Sequence, residues 1–129
     1  MEIPKDLLYT EEHEWIRVKG SRGTIGITHF AQDQLGDVVF VEMPQTGTHI
    51  TQGNTFGVVE SVKTVSDLYG PVSGSVVAFN KDLEAHPDLV NKDPYHKGWM
   101  IEVEFSSSDE LKSLLTPEEY AGRIKEEMA

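Results

Sequence analysis

The chain has 129 residues, and its 22 Asp and Glu against 11 Lys and Arg give a formal net charge of −11. This length is sufficient for one domain with a single hydrophobic core. The negative charge would repel phosphate backbones and anionic lipid surfaces, so it argues against nucleic acid and membranes as partners. Because the chain contains no cysteine, it has no disulfide, thiolate nucleophile or cysteine metal ligand, and any redox sulfur must be imported.

Short runs of valine, isoleucine and aromatic residues, separated by glycine, proline or polar turns, predict a mainly β protein. We expect strands near residues 13–19, 23–27, 37–43, 56–62, 64–69, 72–79 and 99–105. The segments Gly36-Asp-Val-Val-Phe40 and Gly74-Ser-Val-Val-Ala-Phe79 begin alike on opposite sides of residue 63. This weak repeat favours two interlocked antiparallel sheets. The predicted fold class is a flattened barrel or sandwich of short antiparallel strands with flanking helices.

Short helices are predicted between the strands and after them, over residues 28–35, 81–84, 87–91, 109–115 and 117–127. Thr28 can cap the first of these helices and Gly36 can end it. Near the C-terminus, Ser107 or Ser108 can cap one segment, and Pro117 suits the first turn of the next. Together these two segments predict a C-terminal helical flank at about 107–127.

Lys63 stands among apolar and small residues between the predicted strands 56–62 and 64–69. A place inside a strand would force its ammonium group against the core, so we expect Lys63 at a hairpin tip that another protein can reach. An ordinary solvated turn lysine is the alternative interpretation. The residues beyond the hairpin are needed to choose between the two.

Several motifs extend over almost the whole chain: His13-Glu14-Trp15, Gly26-Ile27-Thr28, Ala31-Gln32-Asp33, Leu35-Gly-Asp-Val-Val-Phe-Val-Glu42, Val59-Glu-Ser-Val-Lys-Thr64, Ser66-Asp67, Pro71-Val-Ser-Gly74, Asn91-Lys-Asp-Pro94 and Gly98-Trp99-Met100. In order and spacing they resemble the H proteins of the glycine cleavage system. Biotin carriers typically place methionine on both sides of their modified lysine, and the lipoyl domains of 2-oxo acid dehydrogenases usually place aspartate before it. Here Val62 precedes the lysine and Thr64 follows it.

The resemblance implies a single lipoyl-carrier domain over residues 1–129, with a lipoyl/biotinyl-like fold and lipoate linked through an amide to Lys63. The dithiolane of lipoate would supply the redox sulfur that the chain lacks. The resemblance also implies a carrier and no enzyme activity of its own. In that family the arm takes an aminomethyl group from a pyridoxal-phosphate glycine decarboxylase and presents it to a tetrahydrofolate-dependent aminomethyltransferase. Dihydrolipoamide dehydrogenase then reoxidises the arm, and lipoylating enzymes are implied as further partners.

Two groups of polar residues are candidates for roles around such an arm. An aminomethyl group bound through sulfur hydrolyses if water reaches it, so we expect a cleft that shelters the arm and a carboxylate for its ammonium. Glu14 and Asp67 are the candidates, ahead of Glu12, and the alternative is that they are solvated surface acids. A second group would lie near the hairpin tip, where a lipoylating enzyme could recognise it, or would be ordinary exposed polar residues: Glu60, Ser61 and Ser66.

Other interpretations stay open at this point. A protein that relays lipoyl groups to other carriers would need the same lysine. A stand-alone acidic enzyme would need a catalytic motif, and the sequence has no phosphate-binding loop and no recognisable Ser-His-Asp motif. The spacing of its five histidines predicts no metal site. The N-terminal residues lack signal-peptide or transit-peptide character, which predicts a soluble bacterial cytoplasmic protein, or a mitochondrial matrix protein if organellar.

Overall fold

Nine strands in the described part of the chain, residues 1–128, form two antiparallel sheets in this computed structural model. The strands are β1 Leu8–Tyr9, β2 Glu14–Lys19, β3 Arg22–Ile27, β4 Val38–Glu42, β5 His49–Ile50, β6 Thr55–Ser61, β7 Val65–Tyr69, β8 Gly74–Phe79 and β9 Ile101–Phe105. One sheet has six strands in the order β1-β2-β3-β9-β8-β5, and the other has three in the order β4-β6-β7. The mainly β fold with two antiparallel sheets is therefore confirmed.

Four α-helices and one 3₁₀ helix flank the sheets of the described residues. They are α1 His29–Leu35, α2 Asp82–Ala85, α3 Leu89–Lys92, the 3₁₀ helix Ser108–Ser113 and α4 Pro117–Met128. The hydroxyl of Thr28 accepts the N–H of Ala31 at the start of α1, and Gly36 ends this helix with a φ of 80°. Both helix-capping predictions for α1 are confirmed.

The predicted helix over residues 109–115 is wrong in type and length, because this segment is the 3₁₀ helix Ser108–Ser113. Leu115 cannot continue it, since its N–H and C=O both bond to the backbone of Tyr9 at 2.7 and 2.9 Å. This bridge pulls the chain into an extended conformation before α4 begins. The strands β1 and β5 were not predicted, because two residues are too few to show an alternating pattern.

Trp15 is the largest fully buried side chain of the fold. Its indole N–H donates to the carbonyl oxygens of Ile27 at 3.0 Å and Pro94 at 3.1 Å, so the ring has a fixed position. Gly26 lies opposite Trp15 on β3. A Cβ atom at Gly26 would lie 2.7 Å from the nearest ring carbon of Trp15. The fold therefore requires glycine at this position for close approach.

We predict that Gly26→Ala lowers the free energy of unfolding by about 1–3 kcal/mol, because the added methyl group overpacks the fixed indole ring. Urea unfolding measures the effect. Gly122→Ala is the control, since no atom outside the backbone of α4 lies within 4 Å of the added Cβ and alanine should raise helix stability by about 0.5–1 kcal/mol. A Gly26→Ala variant as stable as the wild type would show that the core accommodates the methyl group.

Candidate functional site

Lys63 lies at the tip of the β6–β7 hairpin, between the end of β6 at Ser61 and the start of β7 at Val65. The Ser61 hydroxyl accepts the N–H groups of Lys63 and Thr64, both at 3.1 Å. The N–H of Ser61 in turn donates to the carbonyl of Thr64 at 2.8 Å. Because Ser61 is buried and the lysine side chain is exposed, the turn holds the lysine backbone in place and leaves its amine accessible.

The hairpin tip is also held against the loop that follows α1. The N–H of Val62 donates to the carbonyl of Asp37 at 3.0 Å. The aliphatic part of Lys63 passes over Gly36, where an added Cβ would lie 3.0 Å from the lysine Cε. Asn91 fixes the same loop, since its amide donates to the carbonyl of Gly36 at 2.8 Å and accepts the N–H of Val38 at 2.8 Å. The lysine therefore projects from a well-supported backbone.

A cleft of about 610 Å³ opens beside the hairpin, between β7, α1, the start of β2 and the end of α4. Its floor contains apolar side chains of both sheets, among them Ile27, Val59 and Leu68. Strand β7 is an edge of its sheet, and Thr64 directs its carbonyl toward β6. Strand alternation then directs the N–H groups of Val65, Asp67 and Tyr69 away from β6. The cleft thus runs along an unpaired strand edge.

Glu14 lines the cleft, although it is only 1 % exposed. One carboxylate oxygen accepts the hydroxyl of Thr10, and the other accepts the N–H of Tyr69 at 3.1 Å. Burial raises the pKa of Glu14 to about 7, although these two hydrogen bonds act in the opposite direction. No Lys or Arg of the described residues forms an ion pair with Glu14. Burial therefore favours the neutral form of this carboxyl group.

The structure brings together only some of the residues that the sequence singled out. Glu14, Asp67 and Glu12 line the same cleft, and Ser66 lines it too. Glu60 instead pairs with Phe40 and Val65 across the three-stranded sheet. Ser61 is buried and bonded into the turn, so an approaching enzyme would not meet its hydroxyl directly. The three residues predicted for recognition therefore lie on no common surface.

The end of α4 forms a wall of the cleft that sequence reasoning did not find. The imidazole of His13 lies 2.9 Å from the Tyr120 hydroxyl and 3.1 Å from the Glu127 carboxylate. The Tyr120 hydroxyl lies 2.6 Å from that of Thr28, the cap of α1. His13 has a φ of 71°, which is uncommon for a residue with a side chain. The sequence gives no signal for these contacts, because the partners of His13 are more than 100 residues away along the chain.

Lys63 could hold a covalent cofactor, since its amine is exposed at a hairpin tip and it forms no ion pair with any of the residues 1–128. Over the same residues, no group of three or more His, Asp or Glu side chains is arranged to hold a metal ion. None of the described helices is both long enough and apolar enough to cross a bilayer.

Comparison with known proteins gives one consistent family. The family model described as Glycine cleavage H-protein matches residues 7–127. The Glycine cleavage system H protein of Carboxydothermus hydrogenoformans is 58% identical over 125 residues, which cover 97% of this chain and 96% of that protein. The Glycine cleavage system H protein of Bacillus subtilis is 54% identical over 127 residues, covering 98% and 100%. The crystal structure of a glycine cleavage system H protein from Mycobacterium marinum matches with a TM-score of 0.88 at 40% identity, covering 95% of this chain and 99% of that chain.

The raised pKa of Glu14 predicts how stability changes with pH. The usual pKa of a glutamate side chain is 4.5, and the pKa of Glu14 in the folded chain is about 7. Between these two pH values the folded chain binds more protons at Glu14 than the unfolded chain. The free energy of unfolding therefore falls as the pH rises through this range. Glu14→Gln cannot ionise, so its stability relative to the wild type should increase over the same range, by up to about 3 kcal/mol.

Urea unfolding from below pH 4.5 to above pH 7 measures this difference. Glu84→Gln is the control, because it removes one negative charge at an exposed position outside the cleft and is not among the groups that shift the pKa of Glu14. A stability difference between Glu14→Gln and the wild type that stays constant across the range would contradict the raised pKa.

Proposed function

The chain belongs to the glycine cleavage H-protein family, and from this premise we propose that it is a lipoyl carrier with lipoate in amide linkage to Lys63. The observation that carries the proposal is the position of Lys63, which is exposed on a fixed turn and adjoins a cleft lined by a buried carboxyl group. An unpaired amine at such a tip suits acylation by another enzyme.

The cleft has the composition needed to shelter the arm. Bound lipoate would supply a dithiolane, which opens to accept an aminomethyl group and closes again on oxidation. The apolar floor of the cleft, which includes Ile27 and Leu68, suits the hydrocarbon part of such an arm and excludes water from it. This arrangement supports the proposal that the aminomethyl group on the arm is protected from water while the carrier moves between enzymes.

Glu14 and Asp67 are the proposed partners of the cargo's ammonium group. Both residues line the cleft, where Asp67 is exposed and Glu14 is buried. A cation beside Glu14 would favour the ionised carboxylate and lower its pKa from about 7. An ion pair with Glu14 would be stronger than one in water, because the buried carboxylate lies in surroundings of lower dielectric constant. The two carboxyl groups would thus hold the loaded arm inside the cleft.

The partners we propose are those of the family: a pyridoxal-phosphate glycine decarboxylase, a tetrahydrofolate-dependent aminomethyltransferase, dihydrolipoamide dehydrogenase and lipoylating enzymes. The chain itself would act as a single carrier domain without catalysis, which accords with a family match over residues 7–127. Its relatives in two bacteria favour a bacterial cytoplasmic carrier. We do not propose the lipoyl-relay role, because no feature of the hairpin or cleft favours it over the carrier role.

Lys63→Arg should abolish lipoylation without loss of the fold, because a guanidinium group keeps the charge but does not form the amide. Intact-mass measurement after incubation with lipoate, ATP and a lipoylating enzyme should show one lipoyl group on the wild type and none on this variant. Lys81→Arg is the control at another exposed lysine. Peptide mass spectrometry that finds the lipoyl group on a different lysine, with Lys63 unmodified, would refute the assignment.

Loss of the two carboxyl groups should shorten the lifetime of the aminomethylated carrier while Lys63 remains fully lipoylated. For the Glu14→Ala, Asp67→Ala double variant we expect about tenfold faster release of ammonia and formaldehyde, equivalent to about 1.4 kcal/mol. Glu84→Ala, an exposed position outside the cleft, controls for the loss of charge. Equal lifetimes for the wild type and the double variant would reject the role of these carboxyl groups.

A further inference from the structure

Exposed apolar side chains concentrate around Lys63. Among the described residues the large apolar side chains that are exposed are Met1 and Met128 near the chain ends, Val39 at 50%, Phe40 at 52%, Val62 at 67% and Val65 at 59%. We call the last four the hairpin patch. Val62 and Val65 flank the lysine turn, and Val39 and Phe40 lie on β4 beside it. Exposed apolar side chains that gather in one part of the surface are typical of an interaction site.

The backbone of β4 is shaped to expose this patch. A regular strand would direct Val39 and Phe40 to opposite faces, so that one of them would be buried. Instead Val38 pairs with Ser61 and Phe40 pairs with the adjacent Glu60, which leaves Val39 as an extra residue in a β-bulge. Val38 and Val41 remain buried on either side. The bulge thus directs two consecutive apolar side chains outward, as bulges that reorient side chains do.

The hairpin patch is distinct from most of the cleft. Phe40 faces Glu60, and Glu60 faces Val65, in one row across the three-stranded sheet. Of the four patch residues only Val65 also lines the cleft. Lys63 therefore stands between two surfaces, one that can shelter its arm and one that remains uncovered.

The surroundings of the patch are acidic. Asp37 and Glu42 are exposed, Glu60 is half-buried, and none of the three forms an ion pair with a described residue. Lys63 is the only Lys or Arg between residues 23 and 80. A complementary partner would present an apolar pocket surrounded by Lys and Arg side chains.

We propose that the hairpin patch is the docking surface for the enzyme that lipoylates Lys63, with Phe40 as its largest apolar contact. An enzyme that acylates the amine must bring its active site to the turn itself, so Val62 and Val65 lie within its footprint. Enzymes that act on the far end of the finished arm have no such requirement. The proposal rests on the proposed function, in which Lys63 receives lipoate.

The test is the kcat/KM of lipoylation of the full chain by a purified lipoylating enzyme with lipoate and ATP. Phe40→Ser should lower it by at least about tenfold, the usual effect of losing a large aromatic contact that dominates an interface, with an unchanged urea unfolding curve. Val62→Ser is a second variant at the most exposed patch position. Gln45→Ser is the control, since it introduces the same residue at an exposed position outside both the patch and the cleft.

The outcomes separate this proposal from the proposed function. Lipoylation of both patch variants as efficiently as the wild type would overturn the docking surface, even if the decarboxylase or dehydrogenase reaction were slowed. A wild-type dimer that Phe40→Ser converts to monomers, with lipoylation unaffected, would assign the patch to a second copy of the chain and also overturn the proposal. A wild type that takes no lipoyl group at Lys63 would refute the proposed function itself.

Discussion

The hydrogen bond between the Glu14 carboxylate and the N–H of Tyr69, 3.1 Å long, is the constraint on which the cleft depends. It joins β2 of the six-stranded sheet to the open edge of β7 in the three-stranded sheet. Beyond this bond the edge has no partner strand, so the cleft can extend toward Lys63. Burying a carboxyl group here raises the pKa of Glu14 to about 7 and destabilises the folded chain. A cationic ligand in the cleft would offset that cost.

The lysine turn lies between the cleft and the hairpin patch, for which we propose different tasks. Ser61 fixes the backbone of the turn through its buried hydroxyl, so that the lysine side chain can move without disturbing β6 or β7. Toward the open edge of β7 lies the cleft, with its apolar floor and carboxyl groups. On the outer face lies the hairpin patch, which the bulge at Val39 exposes. A fixed backbone with a mobile side chain is suited to a group that several enzymes must meet in turn.

Sequence patterns predicted those parts of the fold that depend on local interactions. The longer strands are rich in valine, isoleucine and aromatic residues, and the Thr28 cap and Gly36 stop of α1 act within a few residues. The two-residue strands β1 and β5 were missed because tertiary pairing forms them. Lys63 could be identified from its neighbours, whereas the burial of Ser61 and the outward position of Glu60 depend on strand register. The contact between His13 and Glu127 spans 114 residues, and nothing local indicates it.

The most direct test of this account is the pKa of Glu14, measured by carbon-detected NMR of the lipoylated protein with and without its aminomethyl cargo. Without cargo we expect a pKa near 7, because burial raises it. With cargo the ammonium group should favour the carboxylate and lower this pKa by at least about one unit. The same pKa in both forms would contradict the account, because Glu14 would then be a buried acid that the carried group never meets.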